Sequence, residues 1–138
     1  MHFNSTCNML AFIVEDSEMY ALMLEHKLSK EVGFCIRKFS TGEECVSNLH
    51  LNPDLIILDY NLPGINGLET LKRIKKAKLD LPVLVISAQQ DLKIAINMFG
   101  EGALDYITKD QETVFELNKA IHRIAKDQSS NRPKNLSA

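Results

Sequence analysis

Five short apolar runs, each followed by a stretch with helical spacing, constrain this chain more than anything else in it. The runs are Met9–Val14, Phe34–Phe39, Leu55–Leu58, Val83–Ile86 and roughly Leu104–Thr108. The third, Leu55-Ile56-Ile57-Leu58, has no polar alternation. Pro53 stands before it, and Asn61, Pro63, Gly64, Asn66 and Gly67 follow closely. A continuous run bounded by turn residues suits a strand covered on both faces of a parallel sheet. Phe34–Phe39 alternates with charge and reads as an edge strand. Between the runs, Ser17 caps an expected helix from Glu18 to Lys30, with Tyr20, Met23, Leu24 and Leu28 on one face and Gly33 as its stop. A second helix opens at Ser40 or Thr41 and reaches about Leu49. A third, Gly67 to Lys76, is capped by Asn66 and carries Leu68, Leu71 and Ile74 as its stripe. Asp91 starts a fourth, with Ile94, Ala95 and Met98 along one side and Gly100 and Gly102 at its end. The fifth runs from about Gln111 to Lys126, with Val114, Leu117, Ile121 and Ile124 inward. Strands alternating with helices in this way mean an α/β protein with a parallel sheet and right-handed crossovers.

A length of 138 residues fits one domain with a fair-sized core. The expected divisions are a polar lead-in at 1–8, the folded unit at 9–126, and a polar tail or the start of a linker at 127–138. Sixteen Lys and Arg stand against 18 Asp and Glu, a net charge of −2, so nothing favours nucleic-acid phosphates or an anionic membrane as partner. Met9–Val14 is too short to span a bilayer, and no basic region precedes it, so neither a membrane span nor a signal peptide is expected. A cytoplasmic location follows as an expectation. Cys7, Cys35 and Cys45 are an odd count at irregular spacing, and read as small residues in or near a reduced core, not as a metal or disulfide site. The histidines, His2, His26, His50 and His122, do not cluster. Neither GxxxxGK[ST] nor GxGxxG occurs, which argues against a bound nucleotide.

Ligand sites in open parallel sheets lie beyond the carboxyl ends of the strands. The residues just past those ends are Glu15 and Asp16, Asp59, Ser87 and Ala88, and Lys109. Taken alone, Asp59 reads equally well as a solvated acid capping a turn, and Glu15-Asp16 as acids favoured by a helix dipole. Taken together, three carboxylates on one edge would repel and raise one another's pKa unless a cation intervened. A hard divalent ion, Mg²⁺ or Mn²⁺, is the natural occupant. Carboxylate, divalent ion, lysine and hydroxyl form a set suited to phosphoryl transfer, with one carboxylate as nucleophile.

The acid pair, the stretch LDYNLPGINGLE (58–69), the pair Ser87-Ala88 and GALDYITKD (102–110) resemble, in order and position, the receiver domain of two-component response regulators, including the chemotaxis-type regulators. The likeness covers about residues 9–126. It implies a flavodoxin-like (βα)₅ three-layer sandwich with strand order 2-1-3-4-5. It also implies a role for each residue. Asp59 would accept the phosphoryl group from a phosphohistidine on a sensor kinase or histidine phosphotransfer protein. Asp16, Asp59 and the Asn61 backbone carbonyl would ligate Mg²⁺, with Glu15 reaching it directly or through water. Lys109 and Ser87 would grip the phosphoryl oxygens, with Ala88 offering an N–H, and Ser87 and Tyr106 would form the switch. Asn61 and Gln89 would flank the phosphoryl group and tune its hydrolysis. An output partner would read helix four, strand five and helix five, about Asp91 to Ala125, and dimerisation on phosphorylation is compatible with that surface. Met19 and Leu22 lie off the stripe of the first helix, on the face where such domains dock their phosphodonor, though loose packing accounts for them as well.

Other readings stand beside these roles. Ser87 has a plainer reading as a strand-end hydroxyl, and Tyr106 one as a half-buried core residue. The whole chain reads as an Mg²⁺-dependent phosphatase with an aspartyl nucleophile, although such enzymes carry a second acid where this chain has Asn61. It also reads as an interaction module that no longer uses phosphate. One residue departs from the common receiver pattern: Asp110, not proline, follows Lys109. The bond between them is either trans with an adjusted loop or cis at a cost of about 2.5–4 kcal/mol.

Overall fold

The computed structural model describes residues 7–28 and 33–131. The expected lead-in before Cys7, the last turn of the first helix to Lys30, and the end of the polar stretch lie outside them. In chain order the elements are β1 (Met9–Val14), α1 (Glu18–Leu28), β2 (Phe34–Phe39), α2 (Gly42–Ser47), a 3₁₀ turn (Leu49–Leu51), β3 (Leu55–Asp59), α3 (Gly67–Ala77), β4 (Val83–Ser87), α4 (Leu92–Gly100), β5 (Asp105–Thr108) and α5 (Thr113–Asn131). The five strands form one sheet in the order β2-β1-β3-β4-β5, and every pairing is parallel.

The continuous apolar runs are explained by two cores, one on each face. Ala11, Ile13, Leu55, Ile57, Leu84 and Ile86 face α1 and α5, which contribute Leu24, Leu28, Leu117 and Ile121. The alternate residues Phe12, Val14, Ile56, Leu58, Val83 and Val85 face the other layer, with Leu71, Ile74 and Met98 from α3 and α4. A strand with helices on both sides has no face left for polar residues. At the edge, β2 exposes Arg37 and Lys38, the charged pattern that discourages further strand addition.

Helix starts follow the expected caps. Ser17 Oγ accepts from Tyr20 N at 3.2 Å. Thr41, Asn66 and Asp91 cap α2, α3 and α4 in the same way. Three boundaries differ from expectation. The second helix stops at Ser47, because the Asn48 side chain turns back to the Glu44 carbonyl (2.8 Å) and a 3₁₀ turn carries the chain onward. The last helix begins at Thr113, later than expected, and continues to Asn131, so 127–131 are helical.

The cysteines overturn the reduced-core expectation. Cys7 and Cys35 form a disulfide, with a Cα–Cα distance of 5.5 Å. Its origin is the strand register: Leu10 pairs with Cys35, and Asn8 and Met9 both donate to the Gly33 carbonyl, which brings the residue before Asn8 alongside β2. Cys45 is the buried free thiol, and burial pushes its pKa up to about 12. The disulfide removes cysteine usage as support for a reducing compartment. No helix among the described residues is long and apolar enough to cross a membrane.

The bridge spans 28 residues of sequence, a loop for which chain entropy predicts about 3.5 kcal/mol of stabilisation. Denaturant unfolding with and without a phosphine reductant should show a lower midpoint on reduction. The Cys7→Ser/Cys35→Ser double variant should unfold at the reduced midpoint under both conditions.

Candidate functional site

The strand ends converge because the ladder continues one residue past each strand. Val14 pairs with Leu58, Asp59 with Ile86 and Ser87 with Thr108. Beyond those pairs, Glu15 N donates to Phe39 O (2.9 Å), Tyr60 N to Ile86 O (2.9 Å) and Lys109 N to Ser87 O (2.7 Å). The backbone stems of Glu15, Asp59 and Lys109 are thus set by the sheet itself. Glu15 is 3% exposed and Asp59 2%.

Lys109 joins the two acids. Its Nζ lies 2.7 Å from Glu15 Oε1 and 3.5 Å from Asp59 Oδ2. The second oxygen of Glu15 accepts from Ser17 N at 3.0 Å, and Asp59 Oδ1 accepts from Asn61 N at 3.3 Å. Burial, then the charge of Glu15, pushes the Asp59 carboxyl up to about 6, against the opposing pull of Lys109 and the Asn61 N–H. Burial alone would lower the Lys109 pKa, but the hydrogen bond to Glu15 and the charges of Asp59 and Glu15 hold it above its usual value. Ligand oxygens of Glu15, Asp16 and Asp59 all lie within 4.8 Å of one another. Three carboxylate oxygens, one of them on exposed Asp16, are the hard donor set that suits Mg²⁺ or Mn²⁺.

The remaining expected residues form a second group beside the first. Ser87 is fully buried, and its Oγ accepts from Gln89 N at 3.1 Å. The Tyr106 hydroxyl donates to the Gln89 carbonyl at 2.8 Å, while its ring packs partly against the core on the α3 and α4 side. Ser87 and Tyr106 therefore hold the same loop residue. Ala88 and Gln89 are exposed, as is Asn61. No cis peptide occurs among the described residues, so Lys109–Asp110 is trans. The loop is closed instead by Thr113, whose Oγ1 accepts from Asp110 N (2.7 Å) and donates to Thr108 O (2.8 Å).

Residues outside the expected ligand and phosphoryl-contact set also shape the site. Tyr20, expected simply on the inner face of α1, places its ring centroid 4.4 Å from Lys109 Nζ. Glu43 accepts from Ile65 N at 3.1 Å and so ties α2 to the loop after Asp59. Gly64 adopts a left-handed φ of 73°, which glycine permits without strain. Gly67 is required for space: a Cβ there would lie 2.6 Å from Tyr60 Cα and 2.8 Å from the Asp59 carbonyl oxygen. Only the glycine-rich composition of 61–67 signalled any of this.

Comparison with known proteins agrees with this geometry. The family described as response regulator receiver domain matches residues 11–122. The DNA-binding transcriptional regulator NtrC of Klebsiella pneumoniae is 34% identical over 131 residues, covering 91% of this chain and 28% of NtrC. The chain thus spans less than a third of that relative. A response-regulator structure from Chloroflexus aurantiacus is 36% identical, with a TM-score of 0.77 over 86% of this chain and 98% of that one. The Mn²⁺-bound form of response regulator Rcp1 shares the fold at 22% identity, with a TM-score of 0.72 over 83% of this chain and 91% of that one.

Two outcomes are expected. A carboxyl raised from 3.8 to about 6 contributes stability in its protonated form below the lower value. That contribution is lost as pH rises through about 6. In metal-free buffer Asp59→Asn should therefore raise the unfolding free energy at pH 7.5 by up to about 3 kcal/mol and flatten its decline between pH 4 and pH 7. Gly67→Ala should lower stability by about 1–3 kcal/mol, measured by denaturant unfolding, because the added methyl meets backbone on every side.

Proposed function

The chain belongs to the response-regulator receiver family of two-component signalling, and on that premise we propose that it is a phosphoacceptor switch whose nucleophile is Asp59. The observation that carries this reading is the Lys109 ammonium, 2.7 Å from Glu15 and 3.5 Å from Asp59, at the edge where parallel sheets place their ligands. An Asp59 oxygen attacks the phosphorus of a partner's phosphohistidine. The P–N bond breaks, the imidazole nitrogen keeps the electron pair, and an acyl phosphate forms on Asp59. A carboxyl with a pKa of about 6 is mostly ionised at neutral pH, as a nucleophile must be. Lys109 balances charge on the transferring group, and Ser87 offers it a hydroxyl. Glu15, Asp16, Asp59 and the Asn61 carbonyl would hold a divalent ion, which when bound neutralises charge on the equatorial phosphoryl oxygens.

The site and its readout meet at Gln89, which Ser87 holds through its amide and Tyr106 through its carbonyl. Movement of Ser87 toward a phosphoryl group would release the one and re-aim the other. The readout face is α4, β5 and α5, where Leu92, Ile96 and Phe99 are exposed. Its partner is a protein, and dimerisation on phosphorylation fits the same face. The receiver unit is taken as 9–126 with α5 running on to Asn131. The phosphodonor, a histidine kinase or phosphotransfer protein, meets α1 beside the site, where Met19 is 81% and Leu22 58% exposed. We read the chain as a switch that catalyses only its own phosphorylation and dephosphorylation, working in the cytoplasm.

Incubation with acetyl phosphate and Mg²⁺ should add one phosphoryl group by intact-mass measurement. Chelator or Asp59→Asn should abolish it, and Lys109→Ala should slow it by roughly 10²-fold. Steady release of phosphate from a phosphomonoester would establish the phosphatase reading instead. Failure to gain mass, with Asp59→Asn behaving as the unsubstituted protein, would establish the phosphate-independent module.

A further inference from the structure

Lys109 has a third neighbour besides its two carboxylates. The Tyr20 ring lies 4.4 Å from Nζ, centroid to nitrogen, within the range at which a ring face attracts an ammonium. The contact is built into a closed circuit. Glu15 Oε2 accepts from Ser17 N, Ser17 Oγ accepts from Tyr20 N, and the Tyr20 ring meets the ammonium that Glu15 Oε1 accepts from. The far end of the ring lies toward Thr113. Thr113 in turn fixes Thr108 and Asp110, the residues on either side of Lys109. The α1 residues that fill the core are Ala21, Leu24 and Leu28, while Tyr20 is only half buried.

We propose that Tyr20 is a positioning residue for Lys109: its ring face walls the ammonium on the α1 side and aims it at the carboxylate that receives the phosphoryl group. The proposal rests on the phosphoacceptor reading given above. A lysine on four methylenes has many rotamers. Two carboxylates on one side do not limit its swing toward solvent, but a ring face on the other side does. An aliphatic side chain of similar bulk would keep the α1 packing and offer the ammonium no attraction.

The test compares Tyr20→Phe, which keeps the ring and loses only the hydroxyl, with Tyr20→Leu, which keeps bulk and loses the ring face. Two readouts are taken on each protein, with thermal midpoints to establish folding. The first is the proton shift of the Lys109 ε-methylene, which the ring current should displace upfield in the unsubstituted protein and in Tyr20→Phe but not in Tyr20→Leu. The second is the phosphorylation rate at saturating acetyl phosphate and Mg²⁺, which should fall roughly three- to ten-fold in Tyr20→Leu and stay within about two-fold in Tyr20→Phe. If Tyr20→Leu does not fold, Tyr20→Met is read in its place. An unchanged rate in Tyr20→Leu, or an equal loss in Tyr20→Phe, overturns the positioning role. No phosphorylation of the unsubstituted protein would instead overturn the phosphoacceptor reading, a distinct result because every variant would then be inert.

Discussion

One partly buried ammonium holds the working edge of this sheet together. Parallel strands end on the same side, so acids that follow β1 and β3 are pressed together whether or not they attract one another. Glu15 and Asp59 are both almost wholly buried, and two buried carboxylates without a cation would not both stay ionised. Lys109 supplies the cation from β5, 94 residues away from Glu15 in sequence. The cluster therefore exists only once β1, β3, β4 and β5 have paired. It is also an expense to the fold, visible in the raised pKa of Asp59: burial and the charge of Glu15 both oppose ionisation of that carboxyl.

The layered architecture was legible because burial on both faces leaves a sequence signature. Leu55 and Ile57 go to one core, Ile56 and Leu58 to the other, and only a strand with two covered faces needs four apolar residues in a row. Caps at Ser17, Asn66 and Asp91 were legible because each needs one hydrogen bond to a neighbour a few residues on. The site was partly legible: strand ends in a parallel sheet are coplanar, so the acids and the lysine could be placed without coordinates. Their individual roles came from the family likeness and not from spacing. What stayed hidden depends on register or on contact between distant elements. The Cys7–Cys35 bridge follows from how β1 slides against β2. Tyr20 has the spacing of a core residue, four before Leu24, and only the position of Lys109 gives it another partner. Thr113 looks like any polar loop residue until the Asp110 amide is found on it.

The loop after Asp59 shows how far outside itself a site is shaped. Gly67 lets the start of α3 come within contact of the Asp59 and Tyr60 backbone, and its N–H donates to Tyr60 O at 2.9 Å. Glu43, on a helix across the layer, fixes Ile65 N. Gly42 brings α2 so close to α3 that a Cβ would collide with Thr70 Oγ1. Asn61, whose N–H donates to Asp59, is thus held by packing between two helices that carry none of the chemistry. Its carbonyl can serve as a ligand only if that packing is kept.

The lean of Lys109 toward Glu15, 2.7 Å against 3.5 Å to Asp59, has a consequence for switching. The ammonium thus lies closer to Glu15 than to Asp59, the proposed acceptor. A phosphoryl group on Asp59 would bring oxygens of higher charge within reach, and the balance of attraction would turn toward them. Lys109 N is bonded to Ser87 O, so any adjustment of Lys109 is felt at the residue that holds Gln89. Gln89 is in turn the hydrogen-bond acceptor for Tyr106. A change at one charge can therefore bias an aromatic ring on the far strand without a large backbone movement. It can do so only by the difference in free energy between the two settings of that ring. On the positioning role proposed for Tyr20, its ring would favour one setting of the ammonium and so bear on how readily Lys109 turns.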